Sequence, residues 1–436
     1  MDSDRFTARI SLMTTTATLD GLTILRFAHA FESGGGTERY LDDLDRILLA
    51  RNALTVVRLH LTRKPEGYGP VAEPLGRGTL MRMAVPILAE NGSSMPDTKS
   101  SLTLGVKQKV RDWGLYNPLV WHAVGARWTA SRRLPRQPGQ AVGAGQAAAK
   151  IFRERRVNLV MLHFFGGADA GEVLSESRQA CVPVALLNHY SNDRFLNLPI
   201  RKHAMLADGV AGVNGLGLPG YVRNGFTNLS DGIDTDFFRR ANARPLAQPP
   251  VQPVILLPAR VVREKGHLDL VRAAALLRQS GHECCLAFAG RLDSSGFVDE
   301  LRTAIAKAGL DNNVRFLGDL SVEQLRDWYA ASAVVAFPTY HHEGLGRVIV
   351  EAQAMEVPVV AYATGGVPDG IDSGRTGYLV RTGEIAGLAD HLQQLLASPT
   401  LRATMGRAGR AAAESRFSLT ALAERHEQFY LKIINQ

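Results

Sequence analysis

Short apolar runs recur along the chain, separated by stretches in which apolar residues return every three or four positions. In the first half the runs are LTILRFAHA (22–30), ALTVVRLHL (53–61), NLVMLHFF (158–165), PVALLNH (183–189) and DGVAGVN (208–214). In the second half they are VILLP (254–258), CCLAFAG (284–290), VRFLG (314–318), AVVAFP (333–338), PVVAYA (358–363) and GYLV (377–380). Runs of this length, bounded by turn-forming residues, predict buried strands. YLDDLDRILLA, AVGAGQAAAKIFRERR and VEQLRDWYAAS carry helical spacing, and Ser321 with Gln324 three residues later predicts a capping box on the third. SLTALAERHEQFYLKII (418–434) predicts a long amphipathic helix at the end. Strands alternating with helices imply parallel βαβ units. The pattern breaks once, at the proline-rich RANARPLAQPPVQP (240–253), which reads as a linker. The expected architecture is therefore α/β, with two doubly wound Rossmann-like domains, 1–239 and 240–417. The helix over 418–436 is expected to pack back on the first domain. Ligands of such sheets sit at the carboxyl ends of the strands, so two of them face each other across a central cleft.

Composition narrows the partners. The formal charge of +8 favours anionic ligands such as nucleotides or phosphates. Three cysteines, Cys181, Cys284 and Cys285, are too few and too apolar in context for a disulfide framework, which fits a reducing compartment. MDSDRFTARISLMTTTATLDG does not read as a leader peptide, and no run approaches the roughly 18 apolar residues of a spanning helix. A cytoplasmic protein, peripheral on the inner membrane face, is expected.

Three segments carry candidate chemistry. HHEGLGRVIVEAQAMEVPVVAYATGG (341–366) places Glu343 in a loop at a strand's carboxyl end and Glu351 seven intervening residues on, inside a helix, facing back to the cleft. The helix start adds free N–H groups and the positive end of its dipole, and a carboxylate accepting two hydroxyls suits a ribose. A solvated surface pair is the weaker alternative, because the residues between the glutamates are apolar. PARVVREKG (258–266) sets Arg260 and Lys265 at another strand end, where two cations would grip a diphosphate. GGGTER (34–39) offers Gly34, Gly35 and Gly36 before a helix, where backbone can approach a ligand.

In this order, GGGTER, the Arg–Lys–Gly strand end, then Glu343 and Glu351 with EGLG and the following GG-x-P loop, the chain resembles the retaining glycosyltransferases of family four, which have the GT-B fold. The second domain matches densely and the first in scattered pieces. The resemblance implies a metal-independent, hexosyltransferase-type enzyme needing no cofactor. It would move a sugar from a nucleoside-diphosphate donor to a glycan or polyprenyl-linked acceptor, as in bacterial cell-surface or exopolysaccharide synthesis. Arg260 and Lys265 would hold the diphosphate, and Gly34, Gly35 and Gly36 would approach it from the first domain. Glu351 would take the ribose. Glu343, Gly344 and the backbone of Leu345, Gly346 and Arg347 would meet the sugar. His189 would stand beside the sugar, with His163 as an alternative. Three positions depart from the common pattern: Asp231 before Gly232 where asparagine is usual, Asp369 where glutamate is commoner, and Arg347 where an apolar residue is frequent.

Other signals weigh less. GLGLPG (215–220) matches a dinucleotide string, but Pro219 interrupts the helix that should follow. Asp43–Leu44–Asp45 reads as the solvated face of a helix, and Asp234–Thr235–Asp236 as part of the segment before the linker. No metal site is expected, and His341–His342 lacks a second ligand pair. Tryptophans and cations in 99–136 suggest contact with an anionic membrane surface. The rival readings are a sugar-nucleotide epimerase or hydrolase of the same build and a nucleic-acid-binding protein. No nucleic-acid recognition module is visible.

Overall fold

The computed structural model describes residues 18–28, 36–62, 71–86, 143–163, 168–189, 203–215, 225–292 and 296–436. They build two sheets. The first has eight strands: β1 (Thr23–Ala28), β2 (Thr55–Thr62), β3 (Val71–Leu75), β4 (Gly78–Pro86), β5 (Leu159–His163), β6 (Val184–Asn188), β7 (Gly209–Gly212) and β8 (Phe226–Asn228). Their order is β3-β4-β2-β1-β5-β6-β7-β8, parallel except where β3 pairs with β4. The second sheet is parallel throughout, in the order β11-β10-β9-β12-β13-β14. Its members are β9 (Val254–Leu257), β10 (Cys285–Ala289), β11 (Val314–Gly318), β12 (Ser332–Phe337), β13 (Val359–Tyr362) and β14 (Gly377–Val380). Every apolar run read as a strand is one. The expectation missed β3, β4 and β8. VAEPL carries Pro74, which an edge strand tolerates but which disguises the strand in the sequence, and three residues of β8 are too short for a periodicity to show.

The helices of eight or more residues among the described residues are α1 (Gly36–Arg51), α2 (Ala144–Glu154), α3 (Ala168–Gln179), α4 (His267–Gln279), α5 (Phe297–Lys307), α6 (Val322–Ala331), α7 (Arg347–Ala354), α8 (Ile385–Ala397), α9 (Pro399–Arg416) and α10 (Leu419–Ile434). The capping box on α6 forms: Gln324 N–H donates to Ser321 Oγ at 3.2 Å, and Ser321 N–H donates to Gln324 Oε1 at 2.9 Å. Each sheet is covered on both faces, as parallel sheets require. In β1, Leu25 and Phe27 join the core under α2 and α3, while Ile24 and Ala28 join the core under α1 and α10. In β9, Ile255 and Leu257 face α4, while Val254 and Leu256 face Phe238, Tyr329 and α7.

The last helix, α10, crosses back to the first sheet. Leu422, Phe429, Tyr430 and Ile433 share a core with Leu44, Leu48 and Leu187. Gly209 permits this approach, since a Cβ there would stand 2.4 Å from Ile433 Cδ1.

The interior of the first domain holds an unexpected charge cluster. Arg26, on the central strand β1, is 1% exposed and pairs with Asp45 of α1 at 2.7 Å. Asp45 also receives Arg58 of β2. Asp45 is thus core, not a solvated helix face, because α1 turns this side onto the sheet. From Arg26 a buried chain continues to Tyr430 Oη (3.1 Å), His426 (2.8 Å) and Tyr40 Oη (2.6 Å). The edge of the His189 ring meets Tyr40, with centroids 5.1 Å apart.

Candidate active site

β9 and β12 are parallel neighbours, and one glycine lets the loops that follow them pack together. Gly266 has φ +76°, and a Cβ there would stand 1.9 Å from the Pro338 carbonyl oxygen, so only glycine fits. The loop after β12 is fastened to the turn before α4: Tyr340 N–H and Thr339 Oγ1 both donate to the Glu264 carbonyl, at 2.8 and 3.2 Å. This brings Lys265 Nζ onto Glu343 Oε1 as a half-buried ion pair. Lys265 Nζ also stands 5.9 Å from the centre of the Phe337 ring.

Around Glu343 the backbone is crowded. Gly366 N–H donates to the Glu343 carbonyl at 3.0 Å, and a Cβ on Gly366 would fall 1.6 Å from the Gly344 carbonyl oxygen. A Cβ on Gly344 would fall 2.7 Å from the carbonyl of His189 and as close to Val213 Cγ2. The first domain's β6 end therefore touches the EGLG loop directly. Two hydrogen bonds reinforce the contact: Asn214 Nδ2 donates to the Gly344 carbonyl at 2.7 Å, and Gly215 N–H donates to Asp369.

His189 follows β6 and is nearly buried. Its Nε2 lies 2.9 Å from Nδ1 of His163, at the end of the adjacent β5. Burial pushes His189 down to about 3, with the Arg26 cation adding to the effect. Burial likewise lowers His163 well below the usual histidine range. Both shifts favour neutral rings, with the two nitrogens at hydrogen-bond distance.

Gly346, at φ +85°, caps α7. Leu345 beside it is core. Arg347 opens the helix, and Glu351 lies on its buried side, 3% exposed. Tyr329 Oη donates to Glu351 Oε2 at 2.9 Å. Burial raises the Glu351 carboxyl, and the Arg347 guanidinium, with its Nε 4.0 Å from Glu351 Oε1, works against that shift. Glu351 is therefore walled in by Tyr329 and Arg347, deeper than a loop-side carboxylate.

The structure brings together Lys265, Glu343, Gly344 and His189, and separately Arg347 and Glu351. Arg260 is exposed, and its carbonyl accepts from Val262 N–H at 2.9 Å. Gly36 starts α1, whereas Gly34, Gly35 and the segment 99–136 lie outside the described residues. The Asp-x-Asp of the pre-linker segment is accounted for by local bonds, Asp234 Oδ1 accepting from Asp236 N–H and Phe237 N–H. No group of three or more metal-ligating side chains occurs among the described residues. Sequence reasoning missed Tyr329, Asn214 and Asp43 as neighbours of the site. The opposite charges of Asp231 and Arg347, both at departures from the pattern, were the one available signal.

The fold has known counterparts. Residues 238–412 match the family model described as glycosyl transferases group 1. The chain as a whole takes the GT-B fold, as a glycosyltransferase from Rickettsia africae does at a TM-score of 0.67 and 19% identity, over 95% of this chain and 98% of that one. The Anabaena protein HepE, solved with UDP and glucose, overlays at 0.62 and 17% identity, over 93% and 98%. Among curated proteins, the capsular polysaccharide biosynthesis glycosyltransferase CapM of Staphylococcus aureus is 31% identical, over 39% of this chain and 44% of its own. The D-inositol 3-phosphate glycosyltransferase of Streptomyces avermitilis is 34% identical over 42% of each. The chain thus matches less than half the length of these two relatives.

Proposed function

We propose that this protein is a retaining, metal-independent glycosyltransferase of the hexosyltransferase type. It moves a sugar from a nucleoside-diphosphate donor to a glycan or lipid-linked acceptor in bacterial cell-surface polysaccharide synthesis, at the cytoplasmic face of the membrane. The observation that supports the reading is the Lys265–Glu343 pair, set at the carboxyl ends of adjacent strands, with the neighbouring Gly344 packed against the His189 carbonyl of the opposite domain. The names of relatives support the choice of substrates: HepE was solved with UDP and glucose, and a Corynebacterium glutamicum relative is a GDP-mannose-dependent phosphatidylinositol monomannoside mannosyltransferase.

The chemistry follows from charge. The bond between the sugar's anomeric carbon and the diphosphate oxygen breaks, and its electron pair stays on that oxygen. Lys265 and the exposed Arg260 offset the developing negative charge, which is the role of fixed charges in such a site. The acceptor hydroxyl attacks from the face the diphosphate leaves and passes its proton to a departing phosphate oxygen, so the configuration is retained. Glu343 orients Lys265 and accepts a hydroxyl of the sugar, while Glu351 accepts the ribose hydroxyls.

Incubation with UDP-, GDP- and ADP-sugars and candidate acceptors tests the reading, with proton NMR of the product's anomeric centre. Transfer with retained configuration, undiminished by EDTA, is expected. Lys265→Ala should lower kcat about 10²–10³-fold, the usual cost of one transition-state charge contact. Release of free sugar or of an epimer without transfer would point to another reaction, and loss of activity with EDTA would overturn metal independence.

A further inference from the structure

Asp231 and Arg347, two of the three positions that depart from the common pattern, meet in space. Arg347 Nη1 donates to Asp231 Oδ1 at 3.0 Å and to the Gly232 carbonyl at 2.9 Å. Its Nη2 donates to Asp43 Oδ2 of α1 at 2.8 Å. The first residue of α7 is therefore pinned to a helix of the first domain and to the segment leaving that domain. Nε is buried, lacks a hydrogen bond, and faces Glu351 Oε1 at 4.0 Å. That is too far for a hydrogen bond but close enough for a strong charge interaction away from bulk water. Tyr329 holds the other carboxylate oxygen. Glu351 is thus oriented from two sides, and Oε1 accepts no hydrogen bond among the described residues.

We propose that Arg347 is a positioning residue for the donor nucleotide: pinned by Asp43 and Asp231, it aims the Glu351 carboxylate at the ribose hydroxyls, so that ribose recognition in the second domain depends on a carboxylate of the first. The inference rests on the reading of Glu351 as the ribose acceptor. Burial acts against the Arg347 cation, and Asp231, Glu351 and Asp43 together outweigh it. An apolar residue at position 347 would remove the larger of the two cationic influences on buried Glu351, leaving that of Arg39, and the loss of a nearby cation moves a buried carboxylate toward its protonated form. A protonated Glu351 would accept one hydroxyl poorly where the carboxylate accepts two.

The test measures binding of UDP, GDP and ADP, each beside its 2′,3′-dideoxy form, to the full chain by calorimetry. The wild-type chain should prefer the ribose form of the nucleotide it binds by about tenfold or more, the worth of hydrogen bonds to a charged acceptor. R347M should bring that preference to within about twofold, and D43N and D231N should lower it about threefold, with dideoxy affinity nearly constant throughout. R347K keeps the charge but not the fork and should not restore the preference. D43N alters a partly exposed side chain and keeps the test open should R347M not fold. A fall of ribose and dideoxy affinity in parallel would make Arg347 merely structural, and an unchanged preference would also overturn the proposal. A wild-type chain that binds none of the three, or binds without ribose preference, would instead sink the reading of Glu351 itself.

Discussion

At the centre of the first sheet β1 buries Arg26, locked to Asp45 and Tyr430; at the centre of the second, β9 buries only valine, isoleucine and leucine. The two halves share a plan of parallel strands and covering helices, yet they invest in different interiors. The first fills its middle with a polar chain running from Arg58 through Asp45, Arg26, Tyr430 and His426 to Tyr40, beside the His163–His189 pair. The second sets Lys265 and Glu343 half-buried at the strand ends and buries Glu351 against Tyr329 and Asp269 against Tyr362. Buried ion pairs add little net stability over apolar residues of the same size, but breaking one is costly. The comparison therefore teaches that the first domain is the conditionally stable half, sensitive to pH and to single charge deletions, and the second is the less sensitive half.

The largest expected effect is acid lability concentrated in the first domain. His163 and His426 are held well below the ordinary histidine range and His189 at about 3, in each case chiefly by burial. Each is neutral when folded and takes up a proton on unfolding at any pH between its folded value and about 6.5. Their contribution is complete above about pH 6.5 and is lost as the pH falls toward the folded values. Stability should drop by up to about 4 kcal/mol per pH unit from these three. The second domain has one comparable buried group, His267, held at about 4, and its slope should be about a third of that. Scanning calorimetry between pH 7.5 and 4.5, with proteolysis assigning each transition, reads the difference; equal slopes for both domains would break the comparison.

Next comes Asp45→Ala. It strands Arg26, which is 1% exposed, and removes a partner of Arg58. A loss of about 3–5 kcal/mol is expected in urea unfolding of the first domain. An apolar change of the same class in the second sheet, Leu256→Ala, costs a cavity of about 2–5 kcal/mol but leaves no uncompensated charge. Combining Asp45→Ala with Arg26→Met should therefore recover part of the loss. No recovery would mean that the pair is not what the interior depends on.

How much of this was readable beforehand follows the same division. Every strand of the second sheet and the cluster of residues at its carboxyl edge stood out, because local spacing places Lys265, Glu343 and Glu351 on loops and helix starts whose geometry the sequence itself dictates. The first domain's interior was not legible. Arg26 lies inside TILRFA, an otherwise apolar run that still reads as a strand, and its partner Asp45 follows it by nineteen positions, inside a helix whose acidic residues looked solvated. His426 and Tyr430 reach the same cluster from the far end of the chain, a contact over roughly four hundred residues. Such pairings are set by topology, which periodicity does not encode. Arg347 lies between the two cases: its place on α7 was clear, but its reach to Asp43 depends on how the domains meet.

A matched pair of hydroxyl deletions gives the smallest and sharpest test. Tyr430→Phe removes the group that lies 2.8 Å from His426 Nδ1 and accepts from Arg26 at 3.1 Å. Tyr329→Phe removes the donor to Glu351 Oε2. Both tyrosines are fully buried, so packing loss is the same in kind and only the polar partner differs. Tyr430→Phe should lower first-domain stability by about 1–3 kcal/mol, because it leaves a buried imidazole and guanidinium short of a partner. Its nucleotide affinity should stay at the wild-type value, since Tyr430 reaches the EGLG loop only at a distance, through His426, Tyr40 and His189. Tyr329→Phe should cost stability less than about 1.5 kcal/mol yet weaken nucleotide binding by several-fold, because the freed Glu351 carboxylate is held from one side only. Calorimetry of unfolding and of binding on the same two variants separates these outcomes. If Tyr329→Phe loses stability without losing affinity, Glu351 is a core residue like Asp45, and the division between a polar, structural first interior and a functional second edge is wrong at the position that defines it.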